Sequence, residues 1–381
     1  MTRHGALRGI LGLLCATTLA EAQSDLPGWR LAEPPLLTIG EDGAPATEFS
    51  RIEAAIRLSD GTLAIANGAT SEIRLFDRGG RYLRSFGRRG AGPGEFGTLR
   101  WVGRSGDTVF LFDARLRRIT TVLLGPEPRL LNTLPVAARG ERGPFYIAGR
   151  FIDGRWLATT FATPGFNGPP GPHRLPGSVG TIASGADGEV RWLGQFENIT
   201  VFIHNPTGDV RDAAVGPIAF SPGLYAQVSG ATAWVGDSNG DSLSLFSSAG
   251  TRTTVRLPIA QQRVTQVVIE AARARETETA RGGRGESWVS AKYSPARVPE
   301  RFPFFQALIP APRGELWVEE YTGLRTYAAA YLVVDSGGTP RARVTVPRGV
   351  RVVEAGHDYV VGVHEDDDGV ESVRLYRLTR R

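Results

Sequence analysis

The chain has 381 residues, 41% of them hydrophobic and 22% charged, enough to bury a sizeable core. Its 48 glycines and 25 prolines favour many turns over long helices, and the formal net charge of +5 is carried almost wholly by arginine, with Lys292 the only lysine. The single cysteine, Cys15, leaves the body of the chain without disulfides, thiol nucleophiles or Cys-ligated metals, and no later run is apolar for long enough to span a bilayer as a helix.

The first residues read as a cleavable signal rather than as fold. Arg3 and Arg8 supply a positive start, an apolar run covers Gly9 to Leu19, and Ala20-Glu21-Ala22 has the A-x-A form of a cleavage site. Residues 1–22 are therefore expected to be removed, with residues 23–381 forming one domain exported to the periplasm or the cell exterior. Leu14 before Cys15 stands where a lipid-attachment motif needs a small residue, which argues against a lipid anchor.

Predicted elements follow as short strands with period-two apolar alternation, separated by glycine turns. The first group is Ala54–Leu58, Leu63–Asn67, Glu72–Asp77 and Tyr82–Phe86. The second is Leu99–Gly103, Thr108–Asp113, Arg118–Leu123 and Leu130–Leu134. A third comprises Tyr146–Ile152, Trp156–Thr160, Thr181–Ser184 and Val190–Phe196, interrupted by a Pro/Gly-rich insertion over Pro164–Pro176. The fourth is Leu224–Val228, Thr232–Asp237, Leu243–Phe246 and Thr253–Leu257.

A second insertion, near residues 261–300, comes next. Val264, Val267, Val268, Ala271 and Ala272 recur at helical spacing and predict one amphipathic helix over Gln261–Arg281, ended by Gly282-Gly283. The fifth group is Phe304–Ile309, Leu316–Glu320, Tyr327–Val334 and Arg341–Val346. The sixth has only Val350–Ala355, Tyr359–His364 and Val370–Leu378, and Leu36–Ile39 near the N-terminus is a spare strand that can complete it.

These groups are copies of one unit. Ile65-Ala66-Asn67 leading to Ile73-Arg74-Leu75-Phe76 and Gly80 matches Val235-Gly236-Asp237 leading to Leu243-Ser244-Leu245-Phe246 and Gly250, position for position. Such a repeat of strands and turns predicts an all-β, six-bladed β-propeller with four-stranded blades, a ring closed by the N-terminal strand, and one inserted helix. The tryptophans Trp101, Trp156, Trp192, Trp234, Trp288 and Trp317 read as core between blades.

The segment Gly87-Arg88-Arg89-Gly90-Ala91-Gly92-Pro93-Gly94-Glu95-Phe96 resembles the G-P-G-E-F connector of bacterial six-bladed β-propeller proteins related to the NHL-repeat group. Leu63–Asp77, Leu316–Tyr321 and Asp358–Tyr376 are similar to blades of the same group. The resemblance implies the fold and carries little function, because many members have no assigned activity. Without a G-x-x-x-x-G-K-[ST] pattern the glycine-rich segment is not a phosphate loop; it reads as a connector anchored by Phe96.

Two classes of function remain. The first is a non-catalytic scaffold for a protein or an anionic small molecule or glycan. Arg81 to Arg118 holds a dense arginine run, and Arg88, Arg89 and Arg115 are its candidate ligand contacts. No aromatic–basic groove points to nucleic acid, and a monomer is expected. The second is a metal-dependent lactonase- or lyase-like hydrolytic enzyme using Ca²⁺ or Zn²⁺ in the central channel, where Glu53 and Glu354 would be the nearest carboxylates. His173, His204, His357 and His364 form no ligand pair, and no G-x-S-x-G or S-x-x-K motif occurs. Catalytic residues and metal ligands are therefore left unassigned. The loop Asp237–Asp241 lacks the glycine and glutamate of a calcium loop, while His364–Gly369 gathers acids that a weakly held cation would offset.

Overall fold

The computed structural model describes residues 26–139, 145–161, 169–183, 185, 187–205, 207–209, 211, 213–280, 282–323, 328–366 and 368–380. The expected signal segment, Cys15 and part of the Pro164–Pro176 insertion lie outside these residues.

The fold is mainly β and propeller-like. The first sheet is the meander Ile52–Arg57, Leu63–Asn67, Glu72–Phe76 and Tyr82–Phe86; the second is Arg100–Ser105, Thr108–Asp113, Arg118–Leu123 and Arg129–Pro135. The third joins Phe145–Arg150, Trp156–Phe161, Gly171–Ile182, Arg191–His204 and Ala214–Pro217, and the fourth Leu224–Ser229, Thr232–Asp237, Ser242–Ser247 and Arg252–Arg256. Phe305–Pro310, Leu316–Glu320, Ala329–Val334 and Pro340–Val346 form the fifth meander and Val350–Ala355, Tyr359–Glu365 and Glu371–Thr379 the sixth, and Gly28–Leu31 joins these last two into one continuous nine-stranded sheet that includes Leu37–Ile39. The opening strand of each sheet lies beside that of the next, and Val350–Ala355 lies beside Ile52–Arg57.

Both faces of these sheets are covered, because each pair of neighbours shares an apolar core. Ala54, Ile56 and Leu75 meet Leu99, Val109 and Leu111 between the first and second sheets. Phe110 and Ile119 meet Trp156 and Ile182, and Leu157 and Val179 meet Val235 and Phe246. Trp234 and Leu243 meet Phe305 and Val318, and Trp317 and Val344 meet Val352 and Tyr376. Val361 and Val373 then return to Ile52, Ile65 and Phe76 of the first sheet. Burial on both faces is why a second strand such as Leu63–Asn67 is buried throughout and almost wholly apolar, whereas a last strand such as Tyr82–Phe86 stands exposed.

The N-terminal residues strap this assembly. Leu37–Ile39 pairs antiparallel with Glu371–Thr379 through Leu37↔Leu375 and Ile39↔Val373. Gly28–Leu31, which the alternation did not reveal, runs parallel to Pro340–Val346 and antiparallel to the end of Glu371–Thr379, so it bridges the fifth and sixth sheets. Arg74 then grips the link into the first sheet: its Nη1 donates to the carbonyls of Pro45, Ala46 and Glu48 at 3.3, 3.1 and 2.7 Å, while Glu72 offsets its buried charge at 2.8 Å.

Two expectations change. The inserted segment is a pair of helices, Gln266–Thr279 and Gly282–Lys292, rather than one. Ala280 is extended, which turns the chain, and Gly282 opens the second helix instead of ending the first. A Cβ at Gly285 would lie 3.3 Å from that of Ala280, so a residue without one lets the helices approach. Lys292 and Tyr293 clasp Glu276 across the pair at 2.8 and 2.9 Å. Val268 and Ala272 face the core with Val289 and Phe302, but Val267 is 68% exposed. In the third sheet, Gly171–Ile182 and Arg191–His204 form a hairpin far longer than alternation suggested; its register shifts between Arg174 and Pro176, which admits the proline.

The Gly87–Phe96 connector is a built link between sheets. Arg118 donates to the carbonyls of Ala91, Gly92 and Glu95 at 2.9, 2.9 and 2.6 Å, and Glu95 accepts the Gly92 amide at 2.8 Å. Gly87 has φ +86°, and a Cβ there would meet the Phe96 ring at 2.7 Å. Phe96 is fully buried in the core shared by the first two sheets. Phe96→Ala is expected to cost about 3–5 kcal/mol in urea unfolding, the range for emptying a buried aromatic site.

Candidate functional site

The opening strands carry the charged groups nearest the centre. A register shift between Ile52 and Ala54 sets Glu53 apart from the regular ladder, as bulges do where a side chain is re-aimed. Arg51 Nε and Arg100 Nη1 stand 3.8 and 3.7 Å from the Glu53 carboxylate. Arg351 Nη2 donates to the Ile52 carbonyl at 3.0 Å and lies 3.8 Å from Glu371, whose carboxylate accepts the Ile52 amide at 2.7 Å. Arg51 and Arg89 bond the successive carbonyls of Gly68 and Ala69 at 2.5 and 2.9 Å. A Cβ at Gly68 would fall 2.7 Å from the Arg51 carbonyl and 3.1 Å from Glu53 Cγ, so this tight loop depends on glycine.

Burial pushes the Glu53 carboxyl above its usual range, against the pull of Arg100, Arg51 and Arg351. The Glu53 pairs with Arg51 and Arg100 are longer than a hydrogen bond. Arg51, Arg100 and Arg351 stand around Glu53 and Glu371 at the mouth where the opening strands begin, with Arg89 on the adjoining Ala69 carbonyl.

Glu354 belongs elsewhere. Its carboxylate accepts the Arg57 amide at 2.7 Å and pairs with Arg104 Nη1 at 3.0 Å, while Arg104 also donates to the Arg57 carbonyl at 2.9 Å. Arg57 sits over the Tyr359 ring at 5.1 Å. Glu354 thus ties the sixth, first and second sheets at the far end of Ile52–Arg57. Four residues of strand separate Glu53 from Arg57, roughly 13 Å at about 3.3 Å per residue. The two glutamates therefore do not share a site.

The other candidates divide similarly. Arg88 is engaged by Glu95 at 2.6 Å, and Arg115 packs over Gly97, where a Cβ would meet its Cδ at 3.1 Å. Of the three arginines singled out from sequence, Arg89 is the one that the adjoining carbonyls of Gly68 and Ala69 link to Arg51 at the mouth. His204 bonds Ser287 at 2.8 Å, with burial lowering its pKa, and His173 bonds the Pro169 carbonyl at 2.7 Å. Asp241 pairs with Arg256, and Asp366 caps the Asp368 and Val370 amides, so both acidic loops have structural work. Among the described residues, no three His, Cys, Asp or Glu side chains gather as a metal site. Arg51, Arg351 and Glu371 were missed because their convergence links residues some 300 positions apart.

No family model and no curated protein matches the chain. Among solved structures, a member of the DUF4221 family from Bacteroides vulgatus is similar with a TM-score of 0.53 and 9% identity, over 92% of this chain and 98% of that one. A calcium-binding protein, regucalcin, from Agrobacterium tumefaciens gives 0.39 and 12% over 93% and 97%. Virginiamycin B lyase from Staphylococcus aureus gives 0.38 and 11% over 95% and 97%. The first of these likenesses shows the fold alone, a propeller-like all-β protein.

Because burial raises the Glu354 carboxyl in the folded state despite Arg104, this group favours folding below its unfolded pKa and loses that contribution as pH rises through the folded value. Glu354→Gln removes the titration. Urea melts from about pH 4 to about pH 8 should show the variant's stability rising relative to the parent as pH increases.

Proposed function

We propose that the six sheets are blades of a six-bladed β-propeller closed where Leu37–Ile39 joins Glu371–Thr379, and that the protein is an exported, non-catalytic binding scaffold for an anionic ligand. The closing contact is supported by the core in which Val361 and Val373 meet Ile52 and Ile65. The observation that carries the functional reading is the cluster of Arg51, Arg89, Arg100 and Arg351 at the mouth, opposed by Glu53 and Glu371. Partly desolvated guanidiniums on a rigid frame recognise carboxylate, sulfate or phosphate groups by charge and by paired donors. Glu53 holds the arginines in place while leaving donors for an incoming anion.

The metal-dependent hydrolase is the weaker reading. It needs several ligands converging in the channel, whereas Glu53 lies near the start of Ile52–Arg57 and Glu354 reaches the far end of that strand from the neighbouring Val350–Ala355. Arginines dominate the surroundings of both, an environment that repels a divalent cation.

Heparin serves as a polyanionic probe. Arg89→Gln with Arg100→Gln should weaken binding by about tenfold and lower the salt needed for elution, whereas Arg88→Gln, already occupied by Glu95, should change neither. Equal retention of all three proteins would overturn the assignment. Chelation should leave the melting temperature unchanged; a stoichiometric ion that restores a lost melting temperature would favour the hydrolase.

A further inference from the structure

The residue that ends the second strand has a recurrent task in this fold. Asn67 accepts the Ser50 amide at 3.2 Å, and Asp113 accepts the Gly97 and Thr98 amides at 2.7 and 3.2 Å, so each tethers the incoming connector. In the fourth sheet the following residue has taken this role. Ser238 Oγ accepts the Gly223 amide at 3.0 Å, and the Ser238 backbone bonds Gly223 and Phe304. Among the described residues the carboxylate of Asp237, the counterpart of Asn67 in the repeat, accepts one hydrogen bond, from the Asn239 amide of its own loop at 2.9 Å.

The Asp237 carboxylate lines a cleft of ≈ 210 Å³ between the long third-sheet hairpin, the fourth sheet and the exit of the helical insertion. Pro222, Pro299, Phe302 and Pro303 form its apolar part, while Thr200, Asn239, Gln261, Arg174 and Arg301 share the rest of the lining. Glu197 on the rim is already paired with Arg174 at 2.6 Å. Among the described residues no carboxylate pairs with Arg301, whose guanidinium makes one long bond to the Gln261 carbonyl at 3.3 Å. Burial, reinforced by Glu197, raises the Asp237 pKa against the pull of the Asn239 amide and of Arg174, so a further cation beside it relieves an unfavourable charge.

A small cleft with apolar walls, one under-used carboxylate and one under-used guanidinium is complementary to a compact molecule carrying an ammonium, a carboxylate and an apolar body. We infer that this cleft binds a free apolar α-amino acid, its ammonium on Asp237, its carboxylate on Arg301 and its side chain against the proline and Phe302 walls. The volume is too small for a nucleotide or an oligosaccharide, and the site is separate from the arginine-lined mouth, so neither reading depends on the other.

Titration calorimetry of the full chain with L-leucine and L-phenylalanine tests this, with isocaproate and isoamylamine as analogues lacking the ammonium or the carboxylate. Saturable binding of at least one amino acid is expected. Asp237→Asn, Arg301→Gln and either analogue should each weaken it by about tenfold or more. Arg88→Gln, remote from the cleft, should bind as the parent does. Absence of saturable heat with both amino acids on the folded parent, or binding unchanged in both cleft variants, would overturn the assignment.

Discussion

Every sheet in this protein depends on its two neighbours for burial. An isolated four-stranded meander would expose the apolar residues on both faces of strands such as Leu63–Asn67 and Leu316–Glu320. Those faces are covered only by the preceding and following sheets, through cores such as Ile65 with Val361 and Trp234 with Phe305. Side chains such as Trp156, Trp234 and Trp317 are large enough to fill the wedge between twisted sheets, and each is almost fully buried. This mutual dependence also explains why the last strands of the first, second and fourth sheets tolerate exposure, being the edges furthest from the shared cores.

The same dependence gives the N-terminal strap its importance. The sixth sheet has three strands of its own, leaving Glu371–Thr379 as an open edge that would invite pairing with another chain. Leu37–Ile39 covers that edge, Gly28–Leu31 continues onto the fifth sheet, and Trp29 packs at a tilt against Trp317 with centroids 6.3 Å apart. Arg74, held by Glu72 and three backbone carbonyls, fixes the path from this strap into the first sheet. The strap therefore couples the two ends of the chain through both ladder hydrogen bonds and buried charge.

A rigid frame of this kind lets polar groups be held at its ends without disturbing the cores. A bulge in each opening strand falls at Glu53 and just before Glu354, and each glutamate meets an arginine from a neighbouring sheet. The outcomes differ with depth. Around Glu354 the donors are used up in tying strands together, whereas around Glu53 the pairs are longer and more open to solvent. One end of Ile52–Arg57 is thus a structural clasp and the other a charged mouth.

The mainly β character and many of the apolar strand positions were legible in the sequence because alternation and Asp-Gly or Gly-Gly turns are local signals. The role of Phe96 was legible for the same reason, as the end of a glycine-rich connector. The split of the helical insertion was not, since Gly282-Gly283 reads as a stop and only packing of Gly285 against Ala280 makes it a start. The strand Gly28–Leu31 and the long Gly171–Ile182 hairpin were hidden by short length and by proline. For the site, sequence supplied a surplus of arginines and two candidate glutamates but no partners. Which arginine faces which carboxylate depends on strands brought together from opposite ends of the chain. Local sequence patterns determine which segments become strands, because that choice is made by backbone conformation and side-chain alternation. Only the tertiary arrangement decides that Glu53 meets Arg100 and Arg351 while Glu354 meets Arg104, because charge interactions act through space rather than along the chain.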